Sequence, residues 1–108
     1  MSDFDNTPNG ELDEEGSVSI RDSVEKPKMY RVLMHNDHFT TMDFVVEVLI
    51  AVFRKNEGEA YQIMMNIHQR GVGICGIFTF DIARTKINDA HKRAREKGHP
   101  LRCSYEEA

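Results

Sequence analysis

The sequence predicts a small α+β domain in which a three-stranded antiparallel sheet packs against three helices, in the order β-α-α-β-α-β. Three short apolar runs have the length and composition of strands, and three longer segments between them carry apolar residues at helical spacing. The strands are predicted at 28–35, 72–78 and 101–105, and the helices at about 42 to 54 or 55, 59–70 and 80–97. A chain of 108 residues holds one domain at most.

Charge divides the chain into two parts. Residues 1–26 contain eight acidic and two basic side chains, a net charge of −6, whereas residues 27–108 carry +2. Between Met1 and Val18 the only large apolar side chains are Phe4 and Leu12, so this part cannot bury enough surface to offset the entropy lost on ordering. We therefore predict a disordered acidic N-terminal extension over 1–26 and a folded domain over 27–108.

The first strand and the next two helices follow from residue type and spacing. Tyr30 to Met34 supply the large and β-branched side chains of a strand. Gly71 is expected to end the second helix, because left-handed backbone geometry is cheap only for glycine. The apolar faces are predicted to consist of Val45, Val48, Leu49, Val52 and Phe53 in the first helix and of Ala60, Ile63, Met64 and Ile67 in the second.

The second half of the domain is predicted in the same way. Gly73 and Gly76 interrupt an otherwise apolar strand, which indicates a close backbone approach or a β-bulge. Thr79 can cap the third helix, and Asp81 lies in its first turn, where the helix dipole favours an anion. The inner side of this helix is predicted to carry Ile82, Lys86, Ile87 and Ala90, and its last turns are cationic from His91 to Arg95.

A polar turn at residues 35–42 joins the first strand to the first helix. Thr40 or Thr41 is expected to cap the helix, and Asp43, three residues after Thr40, would complete a capping box. Turns between rigid elements often carry function, which makes this turn a candidate site. A well-capped turn rich in Asn and Asp is the simpler explanation of the same composition.

His68 and a group of methionines also allow two interpretations. His68 lies at the edge of the apolar face of the second helix, where a lone histidine is usually structural. A functional role requires a polar partner, and the Asn36-Asp37-His38 turn is the candidate. The second group either forms a socket for an apolar side chain or belongs to the ordinary core. It consists of Met42, Met64, Met65, Ile67 and Leu101.

Several function classes find little support. The paired ligand spacings of structural zinc sites are absent, although His35, Asp37, His38 and His68 leave a small metal-dependent hydrolase as an alternative. Ser104, Cys75 and Cys103 lie in predicted strands rather than in a nucleophile elbow, and no glycine-rich phosphate loop precedes a helix. The basic run at 91–97 lacks aromatic residues and is explained by a solvated helix end. We expect no catalytic residue, cofactor, metal or nucleic-acid partner.

The expected location is the cytoplasm. No apolar run approaches the length that crosses a membrane, and the N-terminus lacks a basic start followed by an apolar stretch. Cys75 and Cys103 have no Cys-x-x-Cys spacing, which is typical of small buried side chains in a reducing compartment. We expect a monomer with no membrane partner.

Short stretches from residue 28 onward match one known family in order and spacing. They are Lys28 to Val32, Asn36-Asp37, Thr40, Met42 to Phe44, Met64, Ile67-His68, Gly71, Ile74 to Gly76, Phe78-Thr79, Thr85-Lys86 and His99 to Cys103. In these stretches the sequence resembles the ClpS adaptors, and the resemblance covers 28–108 almost without a gap. It implies the same β-α-α-β-α-β fold.

The resemblance implies an adaptor without enzymatic activity. ClpS adaptors select N-degron substrates, proteins with an N-terminal Leu, Phe, Tyr or Trp, for the ClpA-type AAA+ unfoldase of a ClpAP-type protease. The implied α-amino-binding residues are Asn36, Asp37, His38 and His68. The implied hydrophobic pocket consists of Thr40, Met42, Val45, Met64, Ile67 and Leu101. The implied contacts with the N-terminal domain of the unfoldase are Asp81 and Lys86.

Two positions depart from the family pattern. His38 stands where most members carry a second Asp, and Thr41 stands where a Pro usually precedes the gating Met42. Replacing a carboxylate by an imidazole removes negative charge near the substrate's ammonium group. A docking paralogue with narrowed N-degron specificity is therefore the alternative to a general N-degron adaptor.

Overall fold

The computed structural model describes residues 26–108, which form three strands and three helices. They are β1 (Met29–His35), α1 (Met42–Ala51), α2 (Glu57–Arg70), β2 (Val72–Thr79), α3 (Phe80–Glu96) and β3 (Arg102–Glu107). The predicted element order and the three-stranded sheet are confirmed. Apart from Lys26, the predicted acidic extension lies outside the described residues. Within the described part, no helix has the length and apolar content needed to cross a membrane.

The sheet has the strand order β2-β1-β3, and both pairs are antiparallel. The register between β1 and β2 shifts where Val32 pairs with Gly76 and Leu33 pairs with Ile74, so that Cys75 forms a bulge. At Gly73 an added Cβ would lie 2.7 Å from Cγ1 of Ile67 in α2. Both features predicted from the strand glycines, a bulge and a close approach, are therefore confirmed.

The core lies between the helices and one face of the sheet. Burial alternates along β1, where Val32 and Met34 are fully buried while Leu33 is partly exposed. The free thiols Cys75 and Cys103 are buried in the same layer. Burial raises the pKa of Cys103 to about 12 and raises that of Cys75 further. Both cysteines are consequently protonated and pack as small apolar side chains, as predicted.

The end of α1 and the start of α2 differ from the prediction, and a side chain bonds the backbone at each of them. Helix α1 ends at Ala51, earlier than predicted, and Lys86 Nζ donates a hydrogen bond of 2.7 Å to the carbonyl of Val52 there. Helix α2 begins at Glu57, two residues early, because Asn56 caps it and forms a capping box with Glu59.

The predicted inner face of α3 was wrong at Ile82. This side chain is 49% exposed, and the buried stripe consists of Ala83, Ile87, Ala90 and Ala94. Three of these are alanines, whose small side chains let the helix approach the sheet closely. Thr79 occupies the N-cap position of α3 without a side-chain cap hydrogen bond, so its predicted capping role was also wrong.

Candidate functional site

A cavity of about 420 Å³ opens where the turn after β1 meets α1 and α2. Nine residues line it: Asn36, Asp37, His38, Thr40, Met42, Val45, Met64, Ile67 and His68. The polar turn and the helical histidine, which are separated by about thirty positions in the sequence, thus face one space. All four implied α-amino-binding residues and five of the six implied pocket residues contribute to its lining.

The backbone of Gly71 links the two parts of the site. Gly71 ends α2 with a left-handed φ of 88°, three residues after His68. Its carbonyl accepts a hydrogen bond of 2.9 Å from the backbone N–H of Asn36. The end of β1 is therefore fixed to the end of α2, which places Asn36 and His68 at the same cavity.

Asp37 organises the turn with its own carboxylate. Oδ1 accepts hydrogen bonds from the backbone N–H groups of Phe39 (2.8 Å) and Thr40 (2.7 Å), and Oδ2 accepts one from the Thr40 hydroxyl (2.7 Å). Burial alone would raise the pKa of Asp37, but these hydrogen bonds and the neighbouring His38 together lower it below its usual value. The carboxylate is therefore ionised at neutral pH.

The helix cap is Thr41 rather than Thr40. The Thr41 hydroxyl accepts a hydrogen bond from the backbone N–H of Phe44, whereas the Thr40 hydroxyl is used by Asp37. The predicted capping box between Thr40 and Asp43 was therefore wrong. Composition alone did not show which of the two adjacent threonines caps the helix. Asp37 lies three residues before Thr40, a spacing typical of a local turn that uses the Thr40 hydroxyl and leaves Thr41 as the cap.

The apolar side of the cavity comes from the helices. Val45 of α1 and Met64 and Ile67 of α2 are almost completely buried and form its wall. Met42, in the first turn of α1, also lines the cavity but is 43% exposed, so it lies at the mouth. The cavity thus has an apolar interior, and the flexible side chain of Met42 lies beside its opening.

Other residues considered from the sequence lie elsewhere. Leu101 does not line this cavity and is buried in the core. Met65 packs against the core from α2, also outside the lining. Nε2 of His35 lies 2.7 Å from Oγ of Ser104 on the sheet, so the four residues of the hydrolase alternative do not share the cavity. Residues 26–108 contain no group of three or more His, Cys, Asp or Glu residues arranged to hold a metal ion.

Asp81 and Lys86 lie near each other on the surface of α3. With Ile82 and Thr85 they line a shallow depression of about 270 Å³. The Lys86 ammonium is also 5.3 Å from the centre of the Phe78 ring, in addition to its bond with Val52. The implied docking residues therefore form one small surface, in which Lys86 has a structural role as well.

The cavity suits a ligand with a compact hydrogen-bond donor next to an apolar group. Asn36 offers an amide oxygen, Asp37 an ionised carboxylate, and each neutral imidazole one nitrogen acceptor. The opposite wall is apolar, and the volume lies at the small end of the range of about 300–1,000 Å³ for ligand pockets. The fold and this site together define a small ligand-binding domain.

Comparisons with known proteins agree with this description. The model of the family described as "ATP-dependent Clp protease adaptor protein ClpS" matches residues 25–104. The ClpS of Syntrophus aciditrophicus is 50% identical over 96 residues, 89% of this chain and 90% of that protein. The ClpS of Nitratidesulfovibrio vulgaris (strain Miyazaki F) is 51% identical over 100 residues, 93% of this chain and 98% of that protein. The chain therefore belongs to the ClpS family, the adaptors of the ATP-dependent Clp protease.

A solved structure from the same family has a ligand. It is Agrobacterium tumefaciens ClpS2 bound to L-phenylalaninamide, which matches this fold with a TM-score of 0.74 and 37% sequence identity. The match covers 77% of this chain and 100% of that one. The ligand of ClpS2 combines a free α-amino group with an aromatic side chain, the two chemical features for which the present cavity has complementary walls.

Proposed function

We propose that this protein is a substrate-selecting adaptor that binds proteins through a large hydrophobic N-terminal residue and delivers them to a ClpA-type unfoldase. The observation that carries the proposal is the shared cavity, in which Asn36, Asp37 and His68 lie opposite an apolar wall. The binding of phenylalaninamide by the related ClpS2 supports it. The accepted residues are Leu, Phe, Tyr and Trp.

Recognition of the N-terminus follows from the acceptors at the polar rim. A free α-amino group is a compact cation with three N–H donors, and the rim offers an amide oxygen, a carboxylate and imidazole nitrogens. Charge-assisted hydrogen bonds of this kind contribute about 1.5–3 kcal/mol each. An acetylated or internal residue has no ammonium group and cannot form these charge-assisted hydrogen bonds, so it binds with a penalty. Selectivity for true N-termini results from that penalty.

Recognition of the side chain follows from the apolar wall. Burying a Leu or Phe side chain contributes about 1.5–3 kcal/mol. Together with the ammonium contacts, and after the cost of ordering the peptide, this supports a binding free energy of about −8 kcal/mol, which is a micromolar Kd. Small and polar first residues lack this contribution and should bind weakly.

Fluorescence anisotropy with a peptide series tests the proposal directly. Labelled peptides that differ only in the first residue (Leu, Phe, Tyr, Trp, Ile) are compared with the acetylated Leu peptide and competed with phenylalaninamide. We expect micromolar binding of the first four and at least a tenfold loss on acetylation. Equal binding of the free and acetylated Leu peptides would contradict a site for the α-amino group.

Delivery requires a second contact, which we assign to α3. Asp81 and Lys86 present an anion and a cation beside the half-exposed Ile82, a combination suited to a polar docking surface on the N-terminal domain of the unfoldase. This surface is formed by other residues than the cavity. Binding of the substrate and of the unfoldase is therefore expected to occur at the same time.

His38 favours a second candidate function, an adaptor that docks on the unfoldase but accepts a narrower set of N-termini. It lines the cavity at a position where the family resemblance implies a carboxylate. The first prediction is therefore that His38→Asp strengthens binding of the Leu peptide, because the aspartate adds a negative charge beside the ammonium group. Anisotropy titrations of the two proteins under the same conditions measure this, and no gain in affinity for the variant would reject an effect of His38.

A further inference from the structure

A second groove of about 420 Å³ lies between α3 and β3. It shares no lining residue with the cavity or with the depression that contains Asp81 and Lys86, so the proposed function does not use it. Its floor is apolar and buried, and two aromatic rings and two polar side chains stand around it. The lining includes Phe80, Arg84, Ile87, Asn88, Cys103 and Tyr105.

One wall of the groove is a free edge of the sheet. Within residues 26–108, β3 has a single neighbouring strand, β1. The backbone N–H of Cys103 points away from β1 and donates a hydrogen bond of 2.9 Å to Nε2 of His91 in α3. Alternate residues of an antiparallel strand direct their backbone groups to the same side, so the N–H and C=O of Tyr105 also lie at this edge. The groove therefore has room and backbone partners for one more strand.

The charged side chains at the groove are cationic. Arg84 contributes its guanidinium group to the lining, and no Asp or Glu from the described part of the chain lines it. Burial, then the charges of Arg95 and Arg102, lower the pKa of His91 at the edge of β3, so both guanidinium groups lie near this edge. A segment that complements the groove therefore combines apolar side chains with acidic ones.

The chain's own N-terminal extension has this composition. Residues 1–26 carry a net charge of −6. Val18 and Ile20 alternate there with polar residues, which is the pattern of a strand with one buried face. Three acidic residues at 13–15 precede them. A short strand-forming sequence thus follows directly after an acidic cluster.

The extension joins the domain beside the groove. Tyr30, at the start of β1, packs edge-on against Phe80, with ring centres 5.4 Å apart, and against Tyr105, with ring centres 5.7 Å apart. Nine residues separate Ile20 from Tyr30. Fully extended, they span about 30 Å, whereas crossing two strand spacings requires only about 10 Å. The segment around Ile20 can therefore reach the free edge of β3.

We propose that the groove between α3 and β3 binds residues 17–22 of the same chain as an additional strand, with Val18 and Ile20 against its apolar floor. Side chains two positions apart in a strand face the same side, which lets both contact the floor while the residues between them face solvent. The contact is intramolecular and does not depend on the proposed function.

The direction of the added strand follows from where the extension begins. Tyr30 pairs with Glu107, so the extension enters at the carboxyl end of β3, and a segment that folds back along the free edge runs parallel to β3. This direction places the acidic cluster at 13–15 toward Arg102, at the start of β3. It also keeps the cluster away from Glu106 and Glu107, each of which is paired with a basic side chain.

Amide hydrogen exchange of the full-length protein, read by mass spectrometry, tests the proposal. We expect residues 17–22 to exchange about three- to tenfold more slowly than the same sequence in an unstructured peptide. Ile20→Asp and Arg84→Glu should each bring this factor close to one. The control is Arg70→Glu, the same charge change on an exposed arginine beside the opposite edge strand, β2, and it should leave the protection unchanged.

Three results would overturn the proposal. The first is exchange of residues 17–22 at the unstructured rate in the wild-type protein. The second is protection that persists in both Ile20→Asp and Arg84→Glu, which would show that the segment binds elsewhere. The third is protection that rises with protein concentration, because the extension would then occupy the groove of a second copy rather than its own.

Discussion

The carboxylate of Asp37 has little remaining capacity for a ligand. A carboxylate has about four acceptor positions, and three are occupied by the backbone N–H groups of Phe39 and Thr40 and by the Thr40 hydroxyl. One position on Oδ2 is left for the ammonium group. The family resemblance implies a second carboxylate at the next position, but this chain has His38 there. For the proposed function, we therefore expect Asn36 and the two imidazoles to supply most of the contacts to the amine.

Met42 is predicted to exclude β-branched first residues. Its side chain lies at the mouth of the cavity, where the Cβ of a bound first residue would be located, so a second substituent on that Cβ meets the thioether. Met42→Ala should therefore bind Ile and Val peptides at least fivefold more tightly than the wild type, with a smaller change for Leu. The measurement is an anisotropy series over first residues.

A matched variant separates this effect from a general loss of methionine. Met65→Ala removes a half-buried methionine of α2 that packs outside the cavity lining. It should leave the ratio of Ile to Leu binding unchanged. A Met42→Ala protein with the wild-type ratio would show that Met42 does not determine selectivity.

At the level of secondary structure, the contact between α2 and β2 allows only a glycine at position 73. An added Cβ would lie 2.7 Å from Ile67 Cγ1 and 3.2 Å from the backbone oxygen of Ile63, which cannot move without shifting the helix. We predict that Gly73→Ala lowers the free energy of unfolding by about 1–3 kcal/mol, as other overpacked cores do. Because Ile67 lines the cavity, the same variant should weaken binding of the Leu peptide.

A glycine of α2, the helix that packs against Gly73, provides the control. Gly58 lies in the first turn of α2, and its added Cβ would be 3.5 Å from Asn56 Oδ1, an ordinary contact distance. Gly58→Ala should stabilise the protein by about 0.5–1 kcal/mol, because alanine favours the helix. Urea unfolding of the two variants measures both effects. Equal stability of Gly73→Ala and the wild type would contradict the close packing of α2 on β2.

His91 of α3 is hydrogen-bonded to β3, although the sequence analysis counted it in the cationic end of that helix. His91 Nε2 accepts a hydrogen bond of 2.9 Å from the backbone N–H of Cys103. Burial, followed by the charges of Arg95 and Arg102, lowers the pKa of His91 below its usual value. His35 is shifted in the same direction, by burial and then by Arg102. The folded protein therefore favours the neutral form of both histidines.

We predict that the protein loses stability as the pH falls below about 6.5, the usual pKa of histidine. In the range between the lowered folded pKa and 6.5, the unfolded chain binds more protons than the folded one, so the free energy of unfolding falls as the pH falls. His91→Gln keeps an acceptor for Cys103 but cannot titrate, and it should reduce this slope. Urea unfolding between pH 5 and 7.5 measures the slope, and a variant as pH-dependent as the wild type would refute the role of His91.

At the scale of the whole molecule, the sequence predicted what depends on local pattern and missed what depends on distant contacts. Strand runs, helical spacing and Gly71 predicted all six elements, and the family resemblance supplied the residues that line the cavity. At the end of α1 the carbonyl of Val52 is bonded by Lys86, which is 34 residues away, and such a contact cannot be predicted from α1 itself. The face of α3 that is buried against the sheet is the one that carries the small alanine side chains, which the prediction from large apolar residues missed. The family resemblance implies that Leu101 lines the pocket. In the structure Leu101 is buried in the core and is not part of the cavity lining.

The last prediction separates recognition from delivery. Within residues 26–108 the cavity is lined by residues between Asn36 and His68, so we expect a protein without the acidic extension to keep it. A fully extended chain of 26 residues spans about 85–95 Å, which is long enough to reach from a docked domain into the pore of an unfoldase ring.

A protein that starts at Lys26 should therefore bind the Leu peptide within about twofold of the full chain but should fail to promote degradation of a reporter beginning with Leu. Asp81→Arg in the full chain should fail in delivery as well, through loss of unfoldase binding, and a pull-down distinguishes the two defects. Loss of peptide affinity in the shortened protein, or delivery at the full rate, would contradict this division of roles.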